Sequence, residues 1–234
     1  AIRRQRQMCI RDSYRRSYIS ENITKSIDKK DALAVAKKYL CSDTFEPELK
    51  RIFRKNSVGV TKGIPVHYLV QSDNAHRLAD TLVSSLYSNN RLGCARYTVL
   101  DLYNLSARSS DIRELFRVCS GSTIIMNCCG LKCTNSDNCT ADETIPDILF
   151  ELINAYKNEI QFIFTFSNDG PSLPDAVEEK LGAITFVKLA DDTVENEDAH
   201  KYLRKLCREE NTSCDKDLLS LCAKDTPYRA SELM

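Results

Sequence analysis

A chain of 234 residues with 33 basic and 33 acidic side chains has no net charge at neutral pH, so no overall field attracts nucleic acid or an anionic membrane. The length predicts one large domain, or one domain with a small appendage, and no apolar run approaches the roughly 20 residues that a membrane helix needs. Eleven cysteines cannot all pair within one chain, and a core of this size needs no disulfides. The composition predicts a cytoplasmic protein that binds neither nucleic acid nor a membrane.

The first part of the chain is expected to lead into the main domain without belonging to it. Residues 1–13 are charged and aperiodic, and they resemble a translated sequencing-adapter read-through, so they are interpreted as an artefact or a disordered tail. Residues 14–62 predict a helical lead-in, with Ala32 and Ala36 on one helical stripe, followed by a glycine-containing linker.

Short apolar runs alternate with amphipathic helical segments over residues 63–190. The expected strands are 64–70, 95–102, 122–129, 160–167 and 183–189, and the helices between them are 75–87, 110–119, 145–157 and 175–181. Apolar strands separated by helices are typical of a parallel sheet covered on both faces. The pattern predicts an α/β fold, a three-layer sandwich around a five-stranded parallel sheet.

The strand pattern stops after residue 190. Helices are expected over 196–210 and 215–223, with another beginning near Ser231. A helical appendage after the last strand predicts a small, truncated helical lid over residues 191–234.

The turn after the first expected strand, Gln71 to Asn74, contains neither glycine nor lysine. A turn that cradles phosphate needs glycines, so that successive backbone N–H groups converge on the anion, and a lysine that reaches the terminal phosphates. The groups that could touch a phosphate here are instead those at the start of the next helix: Ser72, Asn74, His76 and Arg77.

Five parallel strands followed by a helical lid resemble the AAA+ branch of P-loop NTPases. The segment 227–233 (Pro-Tyr-Arg-Ala-Ser-Glu-Leu) resembles the lid motif of that family, and 173–180 (Leu-Pro-Asp-Ala-Val-Glu-Glu-Lys) resembles the stretch that carries its arginine finger, with Lys180 as the nearest cation. The strand over 162–168 resembles the one whose end bears a polar sensor residue, here Ser167 or Asn168. With right-handed crossovers, the resemblance over 63–234 implies the strand order 5-1-4-3-2 with strand 1 inside the sheet.

Two further segments resemble a particular part of that family. Together with the helical lead-in, 64–68 (Ile-Pro-Val-His-Tyr) and 86–92 (Leu-Tyr-Ser-Asn-Asn-Arg-Leu) are similar to the degenerate N-terminal module of bacterial AAA+ ATPases of the CbxX/CfxQ type. An intact AAA+ module follows in such proteins, so the resemblance implies a downstream AAA+ module or another protein as the partner, and assembly into a homo-oligomer.

The catalytic elements of the family are missing from this chain. Asn127 and Cys128 end the third strand where the family has the Asp-Glu pair that holds Mg²⁺ and polarises the attacking water. Without that pair, a phosphate loop or an arginine finger, we expect no catalytic residue and no required cofactor, and interpret the chain as a non-hydrolysing structural or regulatory module. The alternative is an ATPase with an atypical phosphate site, which would bind ATP or ADP with Mg²⁺ through Ser72, Asn74, His76, Arg77 and Asn168.

Four cysteines cluster around the end of the third strand: Cys128, Cys129, Cys133 and Cys139. Four thiols could hold zinc, but their spacing lacks the paired Cys-x2-Cys hooks of structural zinc sites. Since adjacent strand residues face opposite ways, the first two are expected on opposite faces of the sheet. Unliganded thiols and no metal site are the favoured interpretation, and a metal or thiol sensor is a further alternative.

The three histidines, His67, His76 and His200, lie far apart in the sequence. A catalytic triad would need a nucleophile on a Gly-x-Ser-x-Gly elbow, which the chain lacks. His67 is therefore expected in the core or on a sheet face, and His76 at a solvated helix start.

Overall fold

The computed structural model describes residues 24–40, 50–52, 54, 64–88, 94–102, 109–129, 131, 145–168, 172–190, 193–194, 196–213, 215 and 228–229. The segment 1–13, the linker and most of the lid motif at 227–233 lie outside these ranges, and so do Cys133 and Cys139. No helix in the described ranges is long and apolar enough to cross a bilayer.

Strands and helices alternate through most of the described chain. The strands are β1 Thr24–Ser26, β2 His67–Gln71, β3 Arg96–Asp101, β4 Thr123–Asn127, β5 Gln161–Phe166, β6 Phe186–Ala190, β7 Thr193–Val194 and β8 Tyr228–Arg229. The helices are α1 Lys29–Leu40, α2 Ala75–Ser88, α3 Ser109–Val118, α4 Asp147–Tyr156, α5 Ser172–Lys180 and α6 Asn196–Glu209. The helices that the hydrophobic periodicity predicts between 75 and 210 are thus present, and no bound differs by more than three residues.

The main sheet has six strands in the order β1-β3-β4-β5-β2-β6, and all neighbours are parallel except β1 and β3. The predicted α/β class is confirmed, and β2 lies inside the sheet. The parallel strands follow the order β6-β2-β5-β4-β3, which is 5-1-4-3-2 in the numbering of the expected strands.

The prediction of a five-stranded sheet was wrong in its number of strands, because the lead-in is not wholly helical. Thr24–Ser26 pairs antiparallel with β3, where Thr24 lies opposite Thr98 and Ser26 opposite Arg96. Three polar residues carry no apolar periodicity, so their extended conformation is set by the β3 edge and not by their own pattern.

Helices cover both faces of the sheet. On one face, α3, α4 and α5 bury Phe116, Leu149 and Val177 in a cluster with Phe162, Phe164 and Phe166 of β5. On the other face, α1, α2 and α6 bury Ala32, Leu82 and Ala199 in a second cluster with Ile163 of β5. The side chains of β5 point alternately into these two buried clusters, so every residue of the strand is buried.

Candidate functional site

The two central strands send their following helices to opposite faces of the sheet. β2 leads into α2, which packs on one face, whereas its neighbour β5 leads into α5, which packs on the other. In open α/β sheets, this divergence leaves a crevice at the carboxyl ends of the strands, where ligands bind. The topology therefore brings together the turn Ser72–Asn74, the end of β5 at Ser167 and Asn168, and the end of β4 at Asn127.

The turn between β2 and α2 is closed by Ser72. The Ser72 N–H donates to the carbonyl oxygen of Phe166 at 3.0 Å, which joins the turn to the end of β5. The fully buried Ser72 hydroxyl accepts from the Asn74 N–H at 3.0 Å, and its carbonyl oxygen accepts from the Ala75 N–H at 3.2 Å. Two backbone donors at the start of α2 that would face a phosphate are thus used within the turn.

The predicted polar residues on α2 lie further out. The carbonyl oxygen of half-buried Asn74 accepts the first α-helical bond, from the Leu78 N–H at 3.0 Å. His76 and Arg77 are exposed, and the His76 Nε2 atom lies 3.7 Å from Asp80 Oδ2. These two side chains therefore lie on the solvent side of the helix start, and their part in nucleotide binding stays a prediction.

Asn127 ties the end of β4 to β5. Its Oδ1 atom accepts from the buried Thr165 hydroxyl at 3.2 Å and from the Cys129 N–H at 3.1 Å. The Cys129 thiol in turn lies 3.8 Å from the Thr165 Oγ1 atom. The only oxygen of the Asn127 side chain thus already accepts two hydrogen bonds.

Sequence reasoning missed Thr165. Its one signal is a hydroxyl within a run of buried aromatic and aliphatic residues, Gln161–Phe166. A polar atom inside such a strand needs a hydrogen-bond partner, which here lies 38 residues away on β4.

The first two cysteines of the cluster face opposite ways, as expected. Cys128 belongs to the core cluster under α3 and α4, whereas Cys129 packs against the cluster under α2. Burial raises the pKa of both thiols, although the hydrogen bond between the Cys129 thiol and Thr165 partly offsets the shift at Cys129. Both are therefore protonated at neutral pH, and no group of three His, Cys, Asp or Glu side chains that could hold a metal occurs among the described residues.

The ends of β5 and α5 hold the other residues that the family resemblance singled out. Ser167 and Asn168 are half-buried just after β5. Lys180 is the last residue of α5, where its ammonium lies 3.8 Å from Asp147 Oδ1 and 5.7 Å from the centre of the Phe150 ring. This lysine therefore packs against α4 of its own chain.

No known protein family matches the sequence, and no curated protein matches it either. The fold is similar to two structures of RuvB from Thermotoga maritima. A RuvB mutant superposes with a TM-score of 0.52 at 13% identity, over 76% of this chain and 56% of RuvB. The structure described as a Holliday junction branch migration motor gives 0.51 at 11% identity, over 80% of this chain and 60% of RuvB.

These neighbours are AAA+ P-loop ATPases, so the chain has an AAA+-like fold. It spans less than two thirds of the length of either RuvB chain. At such low identity the likeness concerns the fold alone, and function has to be argued from the site.

Proposed function

We propose that this chain is a non-hydrolysing AAA+-like module that serves as a structural or regulatory, partner-binding part of a larger AAA+ ATPase of the CbxX/CfxQ type. The observation that carries the proposal is the closed hydrogen bonding of the crevice at the carboxyl ends of β2, β4 and β5. The Ser72 hydroxyl accepts a hydrogen bond from within its own turn, and the Asn127 side-chain oxygen accepts hydrogen bonds from Thr165 and Cys129.

This arrangement lacks the parts that phosphoryl transfer needs. Hydrolysis requires held phosphates, a bound Mg²⁺ ion and a positioned water at the same time. At the end of β4, the oxygen of Asn127 is used by two donors, and its other polar atom is an amide nitrogen, which donates hydrogen bonds and cannot ligate Mg²⁺.

The proposal extends to organisation and partners. Residues 63–190 form the AAA+-like α/β domain, and 191–234 belong to a lid, with 14–62 as lead-in and linker. The lid is not wholly helical as expected, because β7 and β8 within it pair antiparallel, with Thr193 opposite Arg229. The partner is a downstream AAA+ module or another protein, and the module assembles as a homo-oligomer. Support comes from the AAA+-like fold and from α6, a helix that follows the last parallel strand.

A steady-state phosphate-release assay with ATP and Mg²⁺ tests the proposal. We expect the purified chain to show no turnover above background, and we expect Asn127→Asp to show none either. The carboxylate would restore one Mg²⁺ ligand, but the turn from Ser72 to Asn74 would still hold no phosphate. Thr81→Val, a change on α2 away from the crevice, is the matched control for handling and purity.

One observation favours the rival candidate, an ATPase with an atypical phosphate site. His76 and Arg77 are exposed in the first turn of α2, at a helix N-terminus that attracts anions. Such binding would be weak and salt-sensitive, so a fluorescent ATP analogue should be titrated at two salt concentrations. Turnover that disappears in His76→Ala or Arg77→Ala would contradict the non-hydrolysing proposal and support this candidate.

A further inference from the structure

His67, the first residue of β2, is buried between aromatic rings of both neighbouring strands. It is 5% exposed, its ring stacks on Phe162 of β5 at 5.5 Å, and it meets Phe186 of β6 edge-on at 6.2 Å. The other two histidines of the chain are less buried: His76 is exposed and His200 is half-buried. His67 is thus a titratable group inside the core, at the opposite end of β2 from the crevice.

Both ring nitrogens of His67 form hydrogen bonds with backbone groups. The Phe162 N–H lies 3.1 Å from Nδ1, and the carbonyl oxygen of Lys157 lies 3.1 Å from Nε2. An amide N–H can only donate and a carbonyl oxygen can only accept. Nδ1 must therefore accept and Nε2 must carry the hydrogen, so these bonds fix one tautomer of the neutral ring.

These two bonds join three elements at the amino edge of the sheet. Lys157 is the residue at which α4 ends, and Phe162 is the second residue of β5. The imidazole thus donates a hydrogen bond to a carbonyl oxygen at the end of α4 and accepts one from a backbone N–H at the start of β5. Beside it, Gln161 Nε2 donates to the carbonyl oxygen of Val66 at 2.9 Å, a bond without a titratable group.

A second proton cannot be accommodated in this setting. It would occupy Nδ1 and point an N–H at the Phe162 N–H, so that one bond is lost and two donors face each other. The aromatic neighbours from β5 and β6 are neutral. The hydrogen bond to the Lys157 carbonyl oxygen favours protonation, whereas the Lys157 ammonium, the charged group that acts on the ring among the described residues, opposes it. Burial, the largest cause, lowers the pKa of His67 to about 4.

We propose that His67 is an acid-sensitive clip, which in its neutral form fastens the start of β5 and the end of α4 to β2, and which on protonation releases that edge of the sheet. The released segment is the end of α4, the turn 157–159 and the start of β5. The turn at Ser72 lies at the other end of β2 and is held by bonds that do not titrate in this range. Acid therefore loosens the amino edge before the carboxyl edge.

Amide hydrogen exchange on the full chain, followed by NMR at pH 7 and pH 5, tests the clip. The open form regains an ordinary histidine pKa of 6.5, whereas the closed form has a pKa of about 4. Proton linkage between these values predicts that the protection factor of the Phe162 amide falls about twentyfold from pH 7 to pH 5. The Leu82 amide of α2 should change much less.

Two histidine variants identify the responsible group. Asn in place of His67 offers an oxygen near the position of Nδ1 that accepts without titrating, so His67→Asn should remove the pH dependence at Phe162. His76→Asn, the matched surface change, should keep it. An unchanged Phe162 amide in the wild type, an equal loss at Leu82, or the same loss in His67→Asn would overturn the proposal.

A direct titration of the His67 ring in the wild-type protein tests the proposal even if His67→Asn does not fold. The chain has three histidines, so their imidazole signals can be followed separately in the wild-type protein. His67 should stay neutral, with Nδ1 unprotonated, to well below the pH at which an ordinary histidine titrates. A His67 signal that titrates near pH 6.5 would show that the ring is not locked.

Discussion

Single hydrogen bonds decide the chemistry at the crevice. An asparagine at the end of β4 could in principle leave its carbonyl oxygen open to a ligand, but in this chain Thr165 and Cys129 donate to that oxygen. The Thr165 hydroxyl is fully buried, so its one donated bond cannot be exchanged for water without local opening. The asparagine at the end of β4 thus has a structural partner of its own.

The contribution of the Thr165–Asn127 hydrogen bond to stability can be measured with Thr165→Val. The change keeps the shape of the side chain but removes the donor to Asn127, so the free energy of unfolding should fall by about 1 kcal/mol. Urea denaturation with an unchanged m-value is the measurement. Thr81→Val, at a half-buried position on α2 outside the core, should stay within about 0.5 kcal/mol of the wild type. Equal losses in both variants would show that the buried bond contributes nothing specific.

Among the connections between elements, the short turn from β2 to α2 is closed by its own hydrogen bonds. Ser72 bonds to β5 through its N–H and to the helix start through its hydroxyl and carbonyl oxygen. A conventional phosphate loop leaves such backbone donors open for the anion, whereas this turn uses those of Asn74 and Ala75 itself. The helix start is consequently stabilised without a ligand.

Ser72→Ala should therefore destabilise the protein without any nucleotide present. The lost hydroxyl leaves the Asn74 N–H without this acceptor, which costs about 1 kcal/mol for a capping residue. Thermal or urea unfolding measures the change, and Ser110→Ala on the exposed start of α3 is the control that should leave stability nearly unchanged. If Ser72→Ala weakened nucleotide binding but not stability, the hydroxyl would have to be assigned to a ligand instead.

Across the whole molecule, the sequence predicted the elements that depend on periodicity and missed the contacts that depend on pairing. β2 and α2 were predictable because each buries an apolar set at its own spacing, as Leu78, Leu82 and Leu86 do on α2. β1 was not, because three polar residues take their conformation from β3. The burial of His67 was predictable, but its two backbone partners and the Asn127–Thr165 pair depend on which distant residues the fold brings together.

The first 13 residues are predicted to contribute nothing to the stability of the whole molecule. They include Arg3, Arg4, Arg6 and Arg11 and no apolar periodicity, so we expect them to bury too little surface to offset the entropy of ordering. Deleting residues 1–13 should leave the thermal midpoint unchanged in differential scanning calorimetry. A clear drop in the midpoint would show that they belong to the fold.

The two outer strands bear on whether other molecules can pair with the edges of the sheet. A bare sheet edge offers unpaired N–H and C=O groups to the strands of other molecules. Here β1 lies along β3 and is short, with a lysine at its centre, and at the opposite edge the Arg51 guanidinium lies 3.5 Å from the Lys188 carbonyl oxygen of β6. A shortened fragment that begins after Ser26 would leave the β3 edge open to a second molecule, so any version trimmed for crystallisation should keep Thr24–Ser26 if it is to stay in solution.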